Sequence, residues 1–379
     1  MLHRWLVVPL AAAVLYGCAP ALASEAAVTY PAIPPPALAE PVPLSPSGER
    51  AARVRPVPPS GGPQQIALLL PLESKSFGRH ADAVRLGFLA AAKAQGGGPP
   101  VRVHGTGDDP EQSVNAYINA VNAGARVVVG PLTRDSVAAV MGSAAVLVPT
   151  LALNVPDGLA APLLDMYTFS LQVDAEARQV AQLAWQDGYR SAVTVSADST
   201  LSRRILQGFV EEFTRLGGTH VGDQAFTSNP ESLARMRKTL STGADMAFLA
   251  LDFSRARQVR PYLGNQAIYA TSQVYPGNAG PLTAFDLAGV RFLDMPWVLQ
   301  QESPELAAYP RPGLAVELER FYALGIDAYR LALMLLAGKA EAGLDGATGR
   351  LMLGSDRQFA RRLLAAQFSD GKLVVRERP

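Results

Sequence analysis

The sequence predicts an α/β protein built from two doubly wound, Rossmann-like lobes, and three observations lead there. Short apolar runs alternate with longer amphipathic stretches from Gln65 onward, which is the pattern of βα units feeding a parallel sheet. The series runs to completion once and then begins again. Ahead of both lies a proline-rich stretch that cannot build a core, so the folded part begins near residue 64.

The elements follow in order. Residues 66–70, Ile-Ala-Leu-Leu-Leu, form an unbroken apolar strand of the kind buried on both faces. A helix over 81–95 stops at Gly96-Gly97-Gly98. A strand over 101–104 leads to a helix over 110–122, with Pro110 in its first turn and Gly124 beyond its end. A strand at 127–129, a helix over 134–141 and a strand over 149–153 close the first series. The second comprises helix 175–185, strand 192–195, helix 201–216, strand 221–226, helix 231–240, strand 246–251, helix 255–263 and strand 267–270. A later strand at 290–293 and a long amphipathic helix over 316–336 are not assigned to a lobe by periodicity alone. No fixed repeat length runs through the chain, so the architecture is doubled without being a solenoid.

Composition narrows the function. In 379 residues, 34 Lys and Arg face 33 Asp and Glu, so no global field draws the chain to nucleic acid. The single cysteine, Cys18, can make neither an internal disulfide nor a multi-cysteine metal site. Residues 1–4 are a short positive start, and 5–16 are an uncharged apolar run too short to span a bilayer comfortably, which marks an export signal. Two processing sites compete. Leu15-Tyr16-Gly17-Cys18 resembles a bacterial lipobox apart from Tyr16, where a small residue is usual, and would place a lipid on Cys18. Ala21-Leu22-Ala23 has the spacing of ordinary signal cleavage and would discard that cysteine, leaving a soluble periplasmic protein. Under lipidation, residues 1–17 are the signal and Ala19 lacks the inner-membrane retention signature, so the expected location is the periplasmic face of the outer membrane. Residues 18–63 then form a tether: about 45 residues in extended polyproline geometry, at roughly 3.1 Å each, reach on the order of 140 Å.

Several strings in order resemble one family. Residues 66–72, Gly130-Pro131-Leu132-Thr133, residues 149–154, Tyr269-Ala270-Thr271-Ser272, Asp294-Met295-Pro296-Trp297 and residues 323–330 are similar to the penicillin-binding protein activator lipoproteins, the LppC or LpoA family. The likeness covers most of residues 65–371. It implies a type I periplasmic-binding-protein-like domain whose chain crosses between lobes three times, with a first lobe of 64–170 plus 271–345 and a second of 171–270 plus 346–379. It also implies a non-catalytic outer-membrane lipoprotein that binds and activates a class A penicillin-binding protein, a peptidoglycan synthase. Members of that family carry a helical-repeat domain ahead of the two lobes, where this sequence has the proline-rich segment.

In open parallel sheets ligands bind beyond the carboxyl ends of the strands, which makes Ser74, Thr106, Asp108, Thr133, Asn154, Asp198, Ser199, Asp252, Thr271 and Ser272 the candidate cleft residues. Helix capping competes for Thr133 and for the pair Asp108 and Asp109, and a hinge or turn role competes for Asn154 and Thr271. His3, His80, His104 and His220 are far apart and lack metal-ligand spacing. Gly105-Thr106-Gly107 lacks the rest of the dinucleotide fingerprint, and Ser369-Asp370-Gly371-Lys372 reads as a turn despite its serine-x-x-lysine spacing. No catalytic set, metal or cofactor is expected. A second reading, a periplasmic receptor for an amino acid or peptide, suits the same fold.

Overall fold

The computed structural model describes residues 65–143, 146–156, 165–240, 243–278 and 280–376. The signal, Cys18 and the tether lie outside them. Among the described residues the strands form three sheets.

The first sheet is parallel, in the order β2-β1-β3-β4-β5, from β1 (Gln65–Leu70), β2 (Val101–Gly105), β3 (Ala125–Val129), β4 (Thr150–Ala152) and β5 (Met166–Thr168). Strand residues alternate between its two faces, so β1 serves two cores. Ile66, Leu68 and Leu70 pack with helix α1 (Gly78–Gln95) and helix α10 (Val316–Leu336), while Ala67 and Leu69 join α2 (Pro110–Asn122) and α3 (Arg134–Gly142). That double burial explains the unbroken apolar run. Helices α1 and α10 approach closely because glycines meet backbone: a Cβ on Gly87 would lie 1.9 Å from the Tyr322 carbonyl oxygen, and one on Gly325 2.1 Å from that of Val84. The 316–336 helix therefore belongs to the first lobe.

The second sheet runs β15-β14-β10-β9-β8-β6-β7. Its parallel part is β6 (Ser191–Ser196), β7 (Thr219–Ala225), β8 (Met246–Ala250), β9 (Ala267–Ala270) and β10 (Val290–Asp294). Antiparallel β14 (Leu364–Ser369) and β15 (Lys372–Arg376) complete one edge. Helices α4 (Val173–Gln186), α5 (Thr200–Arg215), α6 (Pro230–Leu240), α7 (Phe253–Val259), α8 (Pro281–Asp286) and α9 (Pro296–Leu299) accompany it. Stacked rings of Phe209, Phe213 and Phe248 fill one part of its core, and Tyr275, Phe292 and Phe368 another. The third sheet is a small antiparallel one, β11 (Leu344–Gly346), β12 (Gly349–Leu353) and β13 (Phe359–Arg362).

The structure corrects the lobe boundaries expected from the resemblance. The resemblance places residues 271–345 in the first lobe, but β10 pairs with β9, Val290 opposite Ile268, and with β14 on its other side. The physical reason is local: β9, the short helix α8 and β10 make a compact βαβ unit, and splitting it would leave one edge of β9 unpaired, with only β8 beside it. The return to the first lobe comes after Leu299. Residues 346–363 likewise join the small third sheet, and the chain re-enters the second sheet only at Leu364.

Candidate functional site

The loops after β1, β3 and β4 face those after β8, β9 and β10 across a cleft containing two adjoining hollows. One, of about 520 Å³, is lined from the first lobe by Phe77, Leu132, Thr133, Leu153, Asn154 and Leu324. The other, of about 500 Å³, is lined by Asp252, Phe253, Ser272, Gln273, Asp294 and Arg320 among others. Both share Leu171, Val173, Leu201 and Phe321, so they form one mostly apolar groove. Phe77 and Leu201 are themselves exposed, at 41% and 44%.

Of the residues singled out from sequence, Thr133, Asn154, Asp252 and Ser272 line this groove. Each already has structural work. Thr133 stands at the N-cap position of α3, yet its hydroxyl donates to Ser136 Oγ at 2.8 Å and caps no backbone amide. Asn154 donates from Nδ2 to the Leu132 carbonyl at 3.0 Å, joining the β3 and β4 loops. Asp252 caps α7 by accepting from the Arg255 amide at 2.9 Å and pairs with the Arg255 guanidinium. Thr271 is buried with its hydroxyl unpartnered.

The remaining candidates line neither hollow. Ser74 accepts from the Phe77 amide at the start of α1. Thr106 is buried after the edge strand β2, its amide donating to the Leu70 carbonyl. Asp108 accepts from the Lys75 amide, while its neighbour Asp109 caps α2. Asp198 pairs with Arg203 at 2.7 Å, and Ser199 caps α5. Capping and local ion pairs take up most of their polar groups. Among the described residues no cluster of His, Cys, Asp or Glu is arranged to hold a metal, and no helix is long and apolar enough to cross a membrane.

A buried charged network at the floor of the second hollow was not anticipated. Arg320 of α10 grips Asp294, at the end of β10, with Nε to Oδ1 at 3.2 Å and Nη2 to Oδ2 at 2.7 Å, and also donates to the Ser272 carbonyl at 3.0 Å. The pair is almost sealed from water, with side-chain exposures of 11% and 2%. Burial alone would lower the Arg320 pKa, but Asp294, joined by the charges of Glu176 and Glu317, outweighs it and holds the guanidinium above its ordinary value. Glu176 of α4 accepts from the amide and the hydroxyl of Ser272. Burial, reinforced by the Asp294 charge, pushes its carboxyl up to about 7. Nearby, Arg361 of β13 donates to the Ser170 carbonyl at 3.1 Å. One signal was available in sequence: Asp294 ends an apolar strand, and Asp327 sits within the apolar face of α10, where an acid is costly unless satisfied.

Two doubly wound lobes joined by several chain crossings, with a groove at the strand ends, define a protein of the type I periplasmic-binding class. More particularly, the chain belongs to the LppC family: residues 61–243 and 235–371 match the family described as "LppC putative lipoprotein". Similar curated proteins include the penicillin-binding protein activator LpoA of Haemophilus ducreyi, 25% identical over 81% of this chain and 53% of that protein. The protein of the same name from Pectobacterium parmentieri is 24% identical over 93% of this chain and 57% of its own length. The chain thus spans about half the length of the curated relatives it matches. Among solved structures, one titled "Structure of a putative branched-chain amino acid ABC transporter from Chromobacterium violaceum ATCC 12472" is 38% identical. It superposes with a TM-score of 0.70 over 80% of this chain and 99% of that one. Full-length LpoA of Haemophilus influenzae shares the fold, with a TM-score of 0.70 and 24% identity over 83% of this chain and 59% of that one.

Proposed function

We propose that the chain is a lipid-anchored activator of a class A penicillin-binding protein, and that it acts by binding without catalysing a reaction. The observation that carries this reading is the LppC match across both lobes, in a family whose curated relatives are named as penicillin-binding protein activators. The anchor in this reading is Cys18, at the outer membrane, with residues 18–63 spanning the gap to a synthase in the inner membrane. Activation then means that the two lobes bind the active conformation of the synthase more tightly than the resting one. The test is glycan polymerisation and cross-linking by the purified cognate synthase, with and without the mature chain. Stimulation that saturates with added chain supports the proposal; absence of both binding and stimulation refutes it. Lipidation is checked by the mass of the mature N-terminus, with Cys18→Ser as control.

A second reading, a receptor for a small solute, is favoured by the groove itself. Hollows of about 500 and 520 Å³, walled by apolar side chains from both lobes, are of small-ligand size. The Chromobacterium violaceum structure, named for a branched-chain amino acid transporter, points the same way.

A further inference from the structure

Binding proteins that close on a ligand do so by rotating two lobes about a few residues that absorb the change in φ and ψ. In this chain those connecting segments are tied down, and most of the ties come from one helix.

Helix α10 is fixed to the first lobe by the close approach of Gly87 and Gly325 to facing backbone, which leaves no slack for sliding on α1. From there its side chains reach outward in sequence. Arg320 crosses to the second lobe and holds Asp294 at the end of β10 with two prongs, while also taking the Ser272 carbonyl after β9. Glu319 accepts from the indole Nε1 of Trp297 at 2.7 Å and from the Leu314 amide at 3.0 Å, and the Tyr322 hydroxyl donates to the Pro310 carbonyl at 2.8 Å. Those three bonds bind the segment returning from the second lobe along the helix. Asp327, fully buried, accepts from the amides of Ala347 and Thr348 at 2.8 and 2.7 Å and from the Thr348 hydroxyl at 2.6 Å, which fixes the segment leading back. The first connection, around Ser170, is held by Arg361 of the third sheet. That sheet is also joined to α4 through Gln179, which donates to the Arg361 carbonyl and accepts from the Leu363 amide.

We propose that α10 is a permanent latch between the lobes, so that the groove is held at one opening and any partner meets a preformed two-lobed surface. The physical ground is that opening or closing would pull apart Arg320 and Asp294, two charges with side-chain exposures of only 11% and 2%, and leave each deprived of its partner in a mostly buried place. Asp327 meanwhile holds the segment leading back to the same helix through the Ala347 and Thr348 amides. The inference goes beyond the functional reading above and holds whether the partner is a synthase or a solute.

The test places nitroxide labels on exposed positions of the two lobes, Asn119→Cys on α2 and Thr214→Cys on α5, in the full chain carrying Cys18→Ser so that no third label attaches. Pulsed electron–electron resonance then reads the interlobe distance. The latch predicts a single narrow population that moves by less than about 1 Å when millimolar L-leucine, other amino acids or trialanine are added, as in pre-organised complexes. Two populations in the parent chain, or a ligand-induced shift above about 2 Å, overturn it. Arg320→Gln is expected to broaden the distribution while circular dichroism retains the α/β signature. A folded Arg320→Gln chain with an unchanged narrow distribution also overturns the latch. Should that variant fail to fold, Arg320→Lys, which keeps the charge without the two-pronged contact, is judged by the same criterion.

Discussion

Glu176→Gln should reverse part of the pH dependence of stability in a calculable way. Glu176 is only 7% exposed, and its carboxyl pKa rises from an ordinary 4.5 to about 7, through burial first and the Asp294 charge second. The folded state therefore favours the neutral acid by about 2.5 powers of ten. At about 1.4 kcal/mol per power of ten, this amounts to about 3 kcal/mol. The sign follows from linkage. A raised pKa contributes stability that is fully present below 4.5, where both states are protonated, and is lost as pH climbs through the window up to about 7. Glutamine imitates the neutral acid: its oxygen can accept from the Ser272 amide, and its nitrogen can donate to the Ser272 hydroxyl. Urea unfolding of both proteins between pH 4.5 and 8 is the assay. The stability of Glu176→Gln relative to the parent should rise across that range by up to about 3 kcal/mol and level off above pH 7. A difference that stays flat, or falls with pH, would refute the assignment of a neutral buried acid.

Three further outcomes are expected. Gly325→Ala places a methyl 2.1 Å from the Val84 carbonyl oxygen and 2.8 Å from the Phe88 amide nitrogen, so α10 must lift from α1. A loss of about 3 kcal/mol or more should appear in denaturant melts. Asp327→Ala removes the acceptor for two buried amides and a hydroxyl and should cost about 3–5 kcal/mol, whereas Asp327→Asn retains one acceptor oxygen and should cost less. Leu201→Arg, at an exposed position shared by both hollows, should leave stability within about 0.5 kcal/mol and leave synthase stimulation intact. Loss of stimulation in that folded variant would place the synthase on the groove.

Much of the fold was legible because burial on two faces leaves a plain mark. Ile66 to Leu70 reads as a buried strand because even-numbered side chains meet α1 and α10 while odd-numbered ones meet α2 and α3. Capping was legible for a similar reason. Asp109 before Pro110 is a short-range arrangement, and the structure realises it by the bond to the Glu111 amide. The placement of β10 was not legible in this way. An apolar strand of five residues fits either sheet, and only its hydrogen-bonding partners decide between them.

The candidate site divides along the same line. Sequence directs attention to the strand-end loops, because in an open parallel sheet that is where polar side chains gather. It did not separate Thr133 and Asn154, which reach the groove, from Asp198 and Ser199, which cap and pair outside it. The network of Glu176, Ser272, Asp294 and Arg320 joins residues as far as 144 positions apart, with no motif spacing to announce it.

By itself, then, the sequence determined the two α/β series and the family strings, since both reside in residue type and local order. Tertiary structure alone decided which sheet receives each late strand and which charges are buried together. It also decided that one helix ties the lobes. Those outcomes depend on contacts between distant segments, whose energy has no local signature until the chain has closed upon itself.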